Sequence, residues 1–228
     1  MGNITAGLAE SAHKPETYYE NARKDMLKYI PQGTKRTLEF GCGGGKFSEL
    51  VKIQFDAECW GVEVHPYYAA LASERLHKVI NANAHQSLNH LPENYFDCII
   101  FNDVLEHLQD PYSLLHSVKS KLNEHGVVVA SIPNVRFWSN LKALAVDGTW
   151  DYRDTGILDI THLRFFTYNS LRKLFRQLNY DVVTCEGIGP TYSRTFRILN
   201  MLFLNKLKDA RYRHFACVFK PESRTPDA

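Results

Sequence analysis

The sequence predicts an α/β fold in which helices cover both faces of a largely parallel, doubly wound sheet. Short apolar runs of strand length alternate along the 228 residues with segments of helical periodicity. A glycine-dense turn joins the first predicted strand to an amphipathic helix, which is the order that opens a nucleotide-type α/β unit. Hydrophobic residues make up 44% of the chain, enough for one core, so we expect a single domain over residues 1–228.

Apolar runs and turn residues define the expected elements in chain order. Pro31 ends the first helix. Pro66 and Pro111 open two later helices, and Asp110 and Asn169 are the expected N-caps. Strands are predicted at about 35–40, 59–64, 78–81, 96–101, 126–132, 180–185 and 214–219. Helices are predicted at about 16–30, 44–54, 66–77, 110–122, 169–178 and 195–208.

Composition argues against several functional classes. The formal net charge is +2 and the isoelectric point about 8.2, without the basic footprint of a nucleic-acid-binding protein. The five cysteines form no C-x-x-C pair, so we expect reduced thiols and no zinc site. The sequence has neither a signal-peptide pattern nor an apolar stretch of transmembrane length, and we therefore expect a cytoplasmic protein.

The glycine turn discriminates between three kinds of ligand site. A phosphate-binding P-loop needs a glycine at position 40 and a hydroxyl at position 47, and both positions are phenylalanine. A dinucleotide fingerprint needs a third glycine at position 46, which is lysine. The pattern that fits is E-x-G-x-G-x-G, in which the leading carboxylate repels a pyrophosphate and favours a cationic ligand. Its residues are Glu39, Gly41, Gly43 and Gly45.

This pattern resembles motif I of the class I S-adenosylmethionine-dependent methyltransferases. Residues 101–111, F-N-D-V-L-E-H-L-Q-D-P, look like the segment after strand four in the ubiquinone-biosynthesis O-methyltransferases. Residues 159–167, D-I-T-H-L-R-F-F-T, resemble bacterial methyltransferases linked to glycan and secondary-metabolite pathways. The resemblance covers roughly residues 16–187. It implies a Rossmann-like, seven-stranded sheet of order 3-2-1-4-5-7-6 with strand 7 antiparallel, and a substrate cap at 134–168.

The resemblance implies S-adenosylmethionine as the cofactor and S-adenosylhomocysteine as the product. Glu39 would then favour the cationic methionine end of the cofactor. Glu63 ends strand two, where an acid commonly binds ribose hydroxyls, although a solvated strand-end carboxylate is the alternative. Val64 and His65 would line the adenine slot. The other expected cofactor contacts are Asn83 or Ala84 at the adenine amino group, and Asn102 and Asp103 at the end of strand four.

The N-terminal segment 1–34 is expected to form a helical lid. Tyr19 and Arg23 are four residues apart and share one face of the predicted helix. In similar methyltransferases such a helix closes over the cofactor, and an arginine pairs with the cofactor carboxylate. An ordinary amphipathic helix with an exposed arginine is the alternative.

Two histidines are candidates for the base that removes the acceptor proton. Methyl transfer to a hydroxyl requires loss of a proton, and imidazole titrates in the appropriate range. His162 is the first candidate and His107 the second, with Glu106 facing the acceptor. The alternative role for His162 is to order the cap by a hydrogen bond to Asp159 or the backbone. A divalent metal held by Asp103, Glu106 and His107 is a further alternative for activating the hydroxyl.

The cap contributes two expected substrate contacts, Tyr152 and Arg164. Arg164 would bind an acidic group of the substrate, or else brace Asp154 or Asp159. The acceptor is expected to be a sugar, a glycan precursor or another small molecule.

Residues 188–212 depart from the resembling family, because strands six and seven usually follow one another almost directly. The segment 195–208 reads as a helix that is apolar over much of its circumference and flanked by basic residues. Packing on the cap is the expected role, and a homodimer contact or peripheral membrane contact through 194–213 are alternatives.

The sequence therefore predicts an S-adenosylmethionine-dependent enzyme that methylates a hydroxyl. A catalytically silent methyltransferase fold that serves as a binding subunit is one alternative. An NAD-dependent oxidoreductase is the other, and both Glu39 and Lys46 argue against it.

Overall fold

The structure, a computed structural model, describes residues 22–222. A seven-stranded sheet of order β3-β2-β1-β4-β5-β7-β6 forms its centre, and β7 is antiparallel to both of its neighbours. The remaining neighbouring pairs are parallel, so the predicted fold class and strand order are confirmed. The strands are β1 (Arg36–Phe40), β2 (Glu58–Glu63), β3 (Lys78–Asn81), β4 (Phe96–Asn102), β5 (Leu122–Pro133), β6 (Tyr180–Pro190) and β7 (Tyr212–Pro221).

Helices connect the strands as the α/β alternation predicts. The α-helices are α1 (Lys46–Phe55), α2 (Pro66–Ser73), α3 (Ala84–Ser87), α4 (Pro111–Ser117), α5 (Trp138–Lys142), α6 (Tyr168–Gln177) and α7 (Arg194–Leu202). Helix α5 continues into a π-helical turn, Ala143–Asp147. Short 3-10 helices occupy Lys24–Tyr29, Leu88–His90, Leu105–His107, Val118–Lys121 and Lys208–Arg211.

The central strands are buried on both faces, as a doubly wound sheet requires. Leu38 and Phe40 of β1 pack in the core on one face, where the rings of Phe40 and Phe101 stack with centroids 4.9 Å apart. Cys98 and Ile100 of β4 point to the core on the opposite face. Side chains that alternate along a strand therefore supply two separate cores, one under each helical layer.

Several predicted helices differ in their ends, and those expected at 66–77 and 110–122 end already at Ser73 and Ser117. Helix α6 is capped by Thr167 rather than Asn169, because Thr167 and Ser170 form a reciprocal capping box. The helix expected at 195–208 ends at Leu202, since Leu204 and Asn205 adopt positive φ angles of 52° and 60°. Within the expected helix 16–30, the described part Lys24–Tyr29 is a 3-10 helix that buries Met26 and Tyr29, three residues apart.

The glycine turn requires positive φ and close packing at the same time. Gly41 and Gly45 have φ angles of 65° and 83°, a backbone conformation that residues other than glycine rarely adopt. A Cβ on Gly45 would lie 3.1 Å from the backbone Cα of Ala72, so α1 and α2 approach each other directly at this point. The turn therefore holds the start of α1 at the carboxyl edge of the sheet.

Gly45→Ala should destabilise the protein more than Gly33→Ala does. Both glycines have nearly the same φ, 83° and 82°, so the conformational strain of about 1–2 kcal/mol is shared. A Cβ at Gly33 meets nothing within 4 Å, whereas one at Gly45 meets the backbone of α2. Urea unfolding of both variants measures the difference, and equal loss of stability would contradict the packing role of Gly45.

Candidate active site

The carboxyl ends of β1, β2 and β4 meet beside the glycine turn and form the candidate site. The amide of Gly41 donates to the carbonyl of Val62 at 2.8 Å, which ties the turn to the end of β2. Polar side chains from all three strand ends are then brought together, although they lie far apart in the sequence.

Glu63, the expected ribose contact, is held at the end of β2 by two backbone amides. Its Oε2 accepts the amide of Gly43 at 2.9 Å and its Oε1 accepts the amide of His65 at 2.8 Å. The side chain is buried. It is therefore not the solvated strand-end carboxylate that was the alternative, and each oxygen keeps a lone pair that can accept from a ribose hydroxyl.

Glu39 is buried under the turn. Its Oε2 accepts from the hydroxyl of Ser48 at 2.6 Å, and its Oε1 accepts from the amide of Asn102 at 3.0 Å. Burial raises the pKa of Glu39 to about 7, against the lowering effect of these hydrogen bonds, and the charge of Glu63 raises it slightly further. A cation at this site would restore the ionised form.

The expected adenine contacts lie near Glu63. Val64 is exposed, and the ring of His65 lies 5.0 Å from that of Tyr68. Asn83 uses its side-chain oxygen to cap α3 by accepting the amide of Gln86 at 2.9 Å. An adenine contact at this turn would therefore use the other groups of Asn83 or the backbone of Ala84.

Arg23 and Asp103 bind each other in this structure. The Arg23 guanidinium donates to Oδ2 of Asp103, while Ser131 donates to Oδ1 at 2.6 Å and His214 lies 3.8 Å from it. Burial raises the pKa of Asp103, but Arg23 and His214 outweigh it and hold that pKa below its usual value. Asp103 also has a positive φ of 55°, a strained backbone of the kind found at functional sites. Tyr19, the other expected lid residue, lies outside the described residues.

Glu106 is a buried carboxyl group without hydrogen bonds. Its side chain is 1% exposed, and neither carboxylate oxygen has a hydrogen-bond partner within residues 22–222. Burial raises its pKa well above the usual value, and the negative charge of Asp103 raises it further. Burying a carboxyl group without hydrogen bonds costs free energy, so Glu106 marks a candidate ligand-binding position.

His162 and His107 both present a lone pair beside Glu106. Nδ1 of His162 lies 2.9 Å from the carbonyl of Ile157, so Nδ1 carries the proton and the lone pair remains on Nε2. That Nε2 lies 3.9 Å from Oε1 of Glu106. Nδ1 of His107 likewise faces the carbonyl of Thr161 at 3.2 Å. One ligand atom from each of the three side chains lies within 4.8 Å of the others.

The cap is fastened directly to this cluster. The amides of Leu163 and Arg164 both donate to the carbonyl of Glu106, at 2.8 and 3.0 Å. The Arg164 guanidinium donates to the carbonyl of Gln109 at 2.6 Å, rather than bracing Asp154 or Asp159. Tyr152 is exposed, with its ring 6.3 Å from that of Phe165, which in turn lies 6.4 Å from the ring of His162.

Several residues of the site were not predicted from the sequence. Ser48, Ser131 and His214 contact Glu39 or Asp103, but none belongs to a motif that would have identified it. The alternative in which His162 hydrogen-bonds to Asp159 or the backbone is met by the Ile157 carbonyl, while Asp159 accepts the hydroxyl of Thr161 at 2.7 Å. The backbone amide of His162 does hold Asp159, through its carbonyl at 2.9 Å.

A family model described as a methyltransferase domain matches residues 12–185. The chain belongs to the class I S-adenosylmethionine-dependent methyltransferases. It is 28% identical over 173 residues to the ubiquinone biosynthesis O-methyltransferase of Cereibacter sphaeroides, covering 72% of this chain and 68% of that protein. It is 29% identical over 186 residues to an uncharacterized protein of Methanocaldococcus jannaschii, covering 76% of this chain and 85% of that protein.

Solved methyltransferase structures share the fold of this methyltransferase. A SAM-dependent methyltransferase from Archaeoglobus fulgidus superposes with a TM-score of 0.66 at 22% identity, covering 90% of this chain and 97% of that one. A second, from Mesorhizobium loti, has a TM-score of 0.60 at 16% identity over 87% of this chain and 97% of that one. As a member of the family shown by the domain match, the chain has S-adenosylmethionine as its cofactor, and the alternative of an NAD-dependent oxidoreductase is not supported.

The affinity of this methyltransferase for S-adenosylmethionine should rise with pH through neutrality. Glu39 has a pKa of about 7 without ligand, and a cationic cofactor favours its ionised form, so binding lowers that pKa. Relative to Glu39→Gln, the wild-type affinity should increase about tenfold between roughly pH 6 and pH 8. Calorimetric titration of both proteins measures the ratio, in which titration of the cofactor itself cancels. A ratio independent of pH would show that Glu39 does not respond to the cofactor.

Proposed function

We propose that this methyltransferase transfers the methyl group to a hydroxyl of a sugar, a glycan precursor or another small molecule. The observation that carries the proposal is the buried Glu106, whose two oxygens have no hydrogen-bond donor within residues 22–222. An acceptor hydroxyl would supply the donor that this cluster lacks. The similarity to proteins named as ubiquinone O-methyltransferases supports a hydroxyl as the acceptor group.

In the proposed mechanism the acceptor oxygen attacks the sulfonium methyl in line, and its proton passes to Nε2 of His162. The hydrogen bond from Nδ1 to the Ile157 carbonyl keeps the lone pair of Nε2 directed at the reaction. The charge of the resulting imidazolium would favour the ionised form of Glu106, whose Oε1 lies 3.9 Å away, against the effect of burial on the pKa of that carboxyl group, and the carboxylate would in turn stabilise the imidazolium. The enzyme otherwise contributes positioning of the two reactants.

The same three side chains also fit a divalent cation. One carboxylate and two imidazoles suit a transition-metal ion, and their ligand atoms already lie within 4.8 Å of one another. Glu106, His107 and His162 would hold the ion, whereas Asp103 would not, because its oxygens are taken by Arg23 and Ser131. A bound cation would lower the pKa of the acceptor hydroxyl. In that case His162 serves as a ligand and not as the base.

The cap would receive the acceptor. The strap formed by residues 161–164 hydrogen-bonds to the Glu106 carbonyl and thus couples any acceptor contact to the reacting groups. Tyr152 remains a proposed acceptor contact at the exposed side of the cap. A binding subunit without catalysis is the competing proposal, and it gives no reason for a buried carboxyl group that lacks donors.

Glu106→Gln should lower methyl transfer by about 10²–10⁴-fold, because the amide neither carries charge nor accepts a proton. Affinity for S-adenosylhomocysteine should change little, since Glu106 faces the acceptor. Glu124→Gln, at an exposed position on β5, is the matched control. The acceptor is first found by a mass gain of one methyl group in a panel of sugars, nucleotide sugars and catechols. Full activity of Glu106→Gln would contradict the proposed role.

A titration with Mn²⁺ separates the two versions of the mechanism. If a cation is held, wild-type protein freed of metal by a chelator should take up one Mn²⁺, measured by loss of the free-ion electron paramagnetic resonance signal. His162→Ala and Glu106→Gln should both abolish that binding, and Glu124→Gln should keep it. Unchanged activity in chelator with no Mn²⁺ uptake assigns His162 as the base and rejects the cation.

A further inference from the structure

The insertion between β6 and β7 is anchored on the cap side of the molecule. Phe196 is the buried residue of α7, and its ring lies 5.7 Å from that of Trp138 on α5. At the other end of the insertion, Asp209 forms an ion pair with Arg136 at 2.9 Å, and its carbonyl accepts the Asn134 side chain. The insertion is therefore a fixed part of the fold with one face turned inward.

The opposite face of this insertion is apolar and exposed. Ile198, Met201 and Leu202 are spaced three and four residues apart, so they share one side of α7, away from Phe196. Phe203 and Leu204 extend this face into the following turn. The exposed fractions of these five side chains range from 56% to 79%. Such a concentration of large exposed apolar side chains indicates a contact surface.

The charges of this segment indicate which kind of partner its exposed face contacts. Residues 191–208 contain no acidic residue, and their four basic residues are Arg194, Arg197, Lys206 and Lys208. All four side chains are exposed. The whole chain carries a net charge of only +2, so the remaining residues are net negative. A second copy of this surface would place like charges against each other in a twofold dimer, which disfavours self-association.

We propose that residues 192–208, the docking surface, bind peripherally to an anionic lipid bilayer. The apolar face of α7 would enter the boundary between headgroups and acyl chains, and the basic residues would lie among the lipid phosphates. No helix within the described residues 22–222 is long and apolar enough to span a membrane. The contact is therefore with the membrane surface, and it is independent of the proposed acceptor chemistry.

Vesicle co-sedimentation tests the docking surface on the full-length protein. We expect binding to vesicles of phosphatidylcholine with phosphatidylglycerol at low salt, weaker binding as salt rises, and much weaker binding to phosphatidylcholine alone. Leu202→Gln with Leu204→Gln should weaken binding by at least about tenfold, and so should Arg194→Gln with Arg197→Gln. Methyl transfer to a soluble acceptor should remain unchanged in both variants.

Matched controls carry the same changes elsewhere on the surface. Ile53→Gln with Val183→Gln replaces apolar side chains that are 74% and 60% exposed, and Lys173→Gln with Arg176→Gln removes two exposed charges from α6. Both controls should bind like wild type. The proposal is overturned if wild type ignores the anionic vesicles, or if the controls lose as much binding as the variants. A wild-type dimer in solution that Leu202→Gln with Leu204→Gln dissociates would assign the surface to a second copy instead.

Discussion

The site depends on four carboxyl groups at one edge of the sheet, of which Glu39, Glu63 and Glu106 are buried and Asp103 is partly exposed. They lie near the end of β1, at the end of β2 or after β4, and removing their charge from water is costly unless each is compensated. Backbone amides compensate Glu63, and Arg23 compensates Asp103. Burial raises the pKa of Glu39 to about 7, and the carboxyl group of Glu106 has no hydrogen bond within residues 22–222. A cationic ligand would therefore lower the cost of burying the carboxyl groups at this edge.

That requirement explains the division of the edge into two parts. Glu39 and Glu63 adjoin the glycine turn, where we propose that the cofactor binds with its cationic methionine end near Glu39 and its ribose near Glu63. Glu106 is joined to the cap through its carbonyl, and we propose that the acceptor loses its proton there. The proposed base and the proposed cation site use the same side chains, because a protonated imidazole and a bound cation would each supply positive charge next to Glu106.

Local patterns in the sequence predicted the strands and the carboxylates of the first two strands, whereas the strand order came from the resemblance to the methyltransferase family. Apolar runs and glycine spacing act over a few residues, so Glu39, Glu63 and the start of α1 could be identified from the chain alone. The Arg23–Asp103 pair joins residues 80 positions apart, and no local pattern carries it. The early end of α7 depends on the positive φ of Leu204 and Asn205, and leucine rarely adopts the left-handed conformation in which glycine or asparagine ends a helix.

Calorimetric titration with S-adenosylmethionine and, separately, with NAD⁺ tests the central claim most directly. Buried carboxylates beside the glycine turn should attract the cationic cofactor and repel a pyrophosphate. The expected result is one binding site for S-adenosylmethionine and no detectable heat of binding with NAD⁺. Binding of NAD⁺ without binding of S-adenosylmethionine would contradict the account.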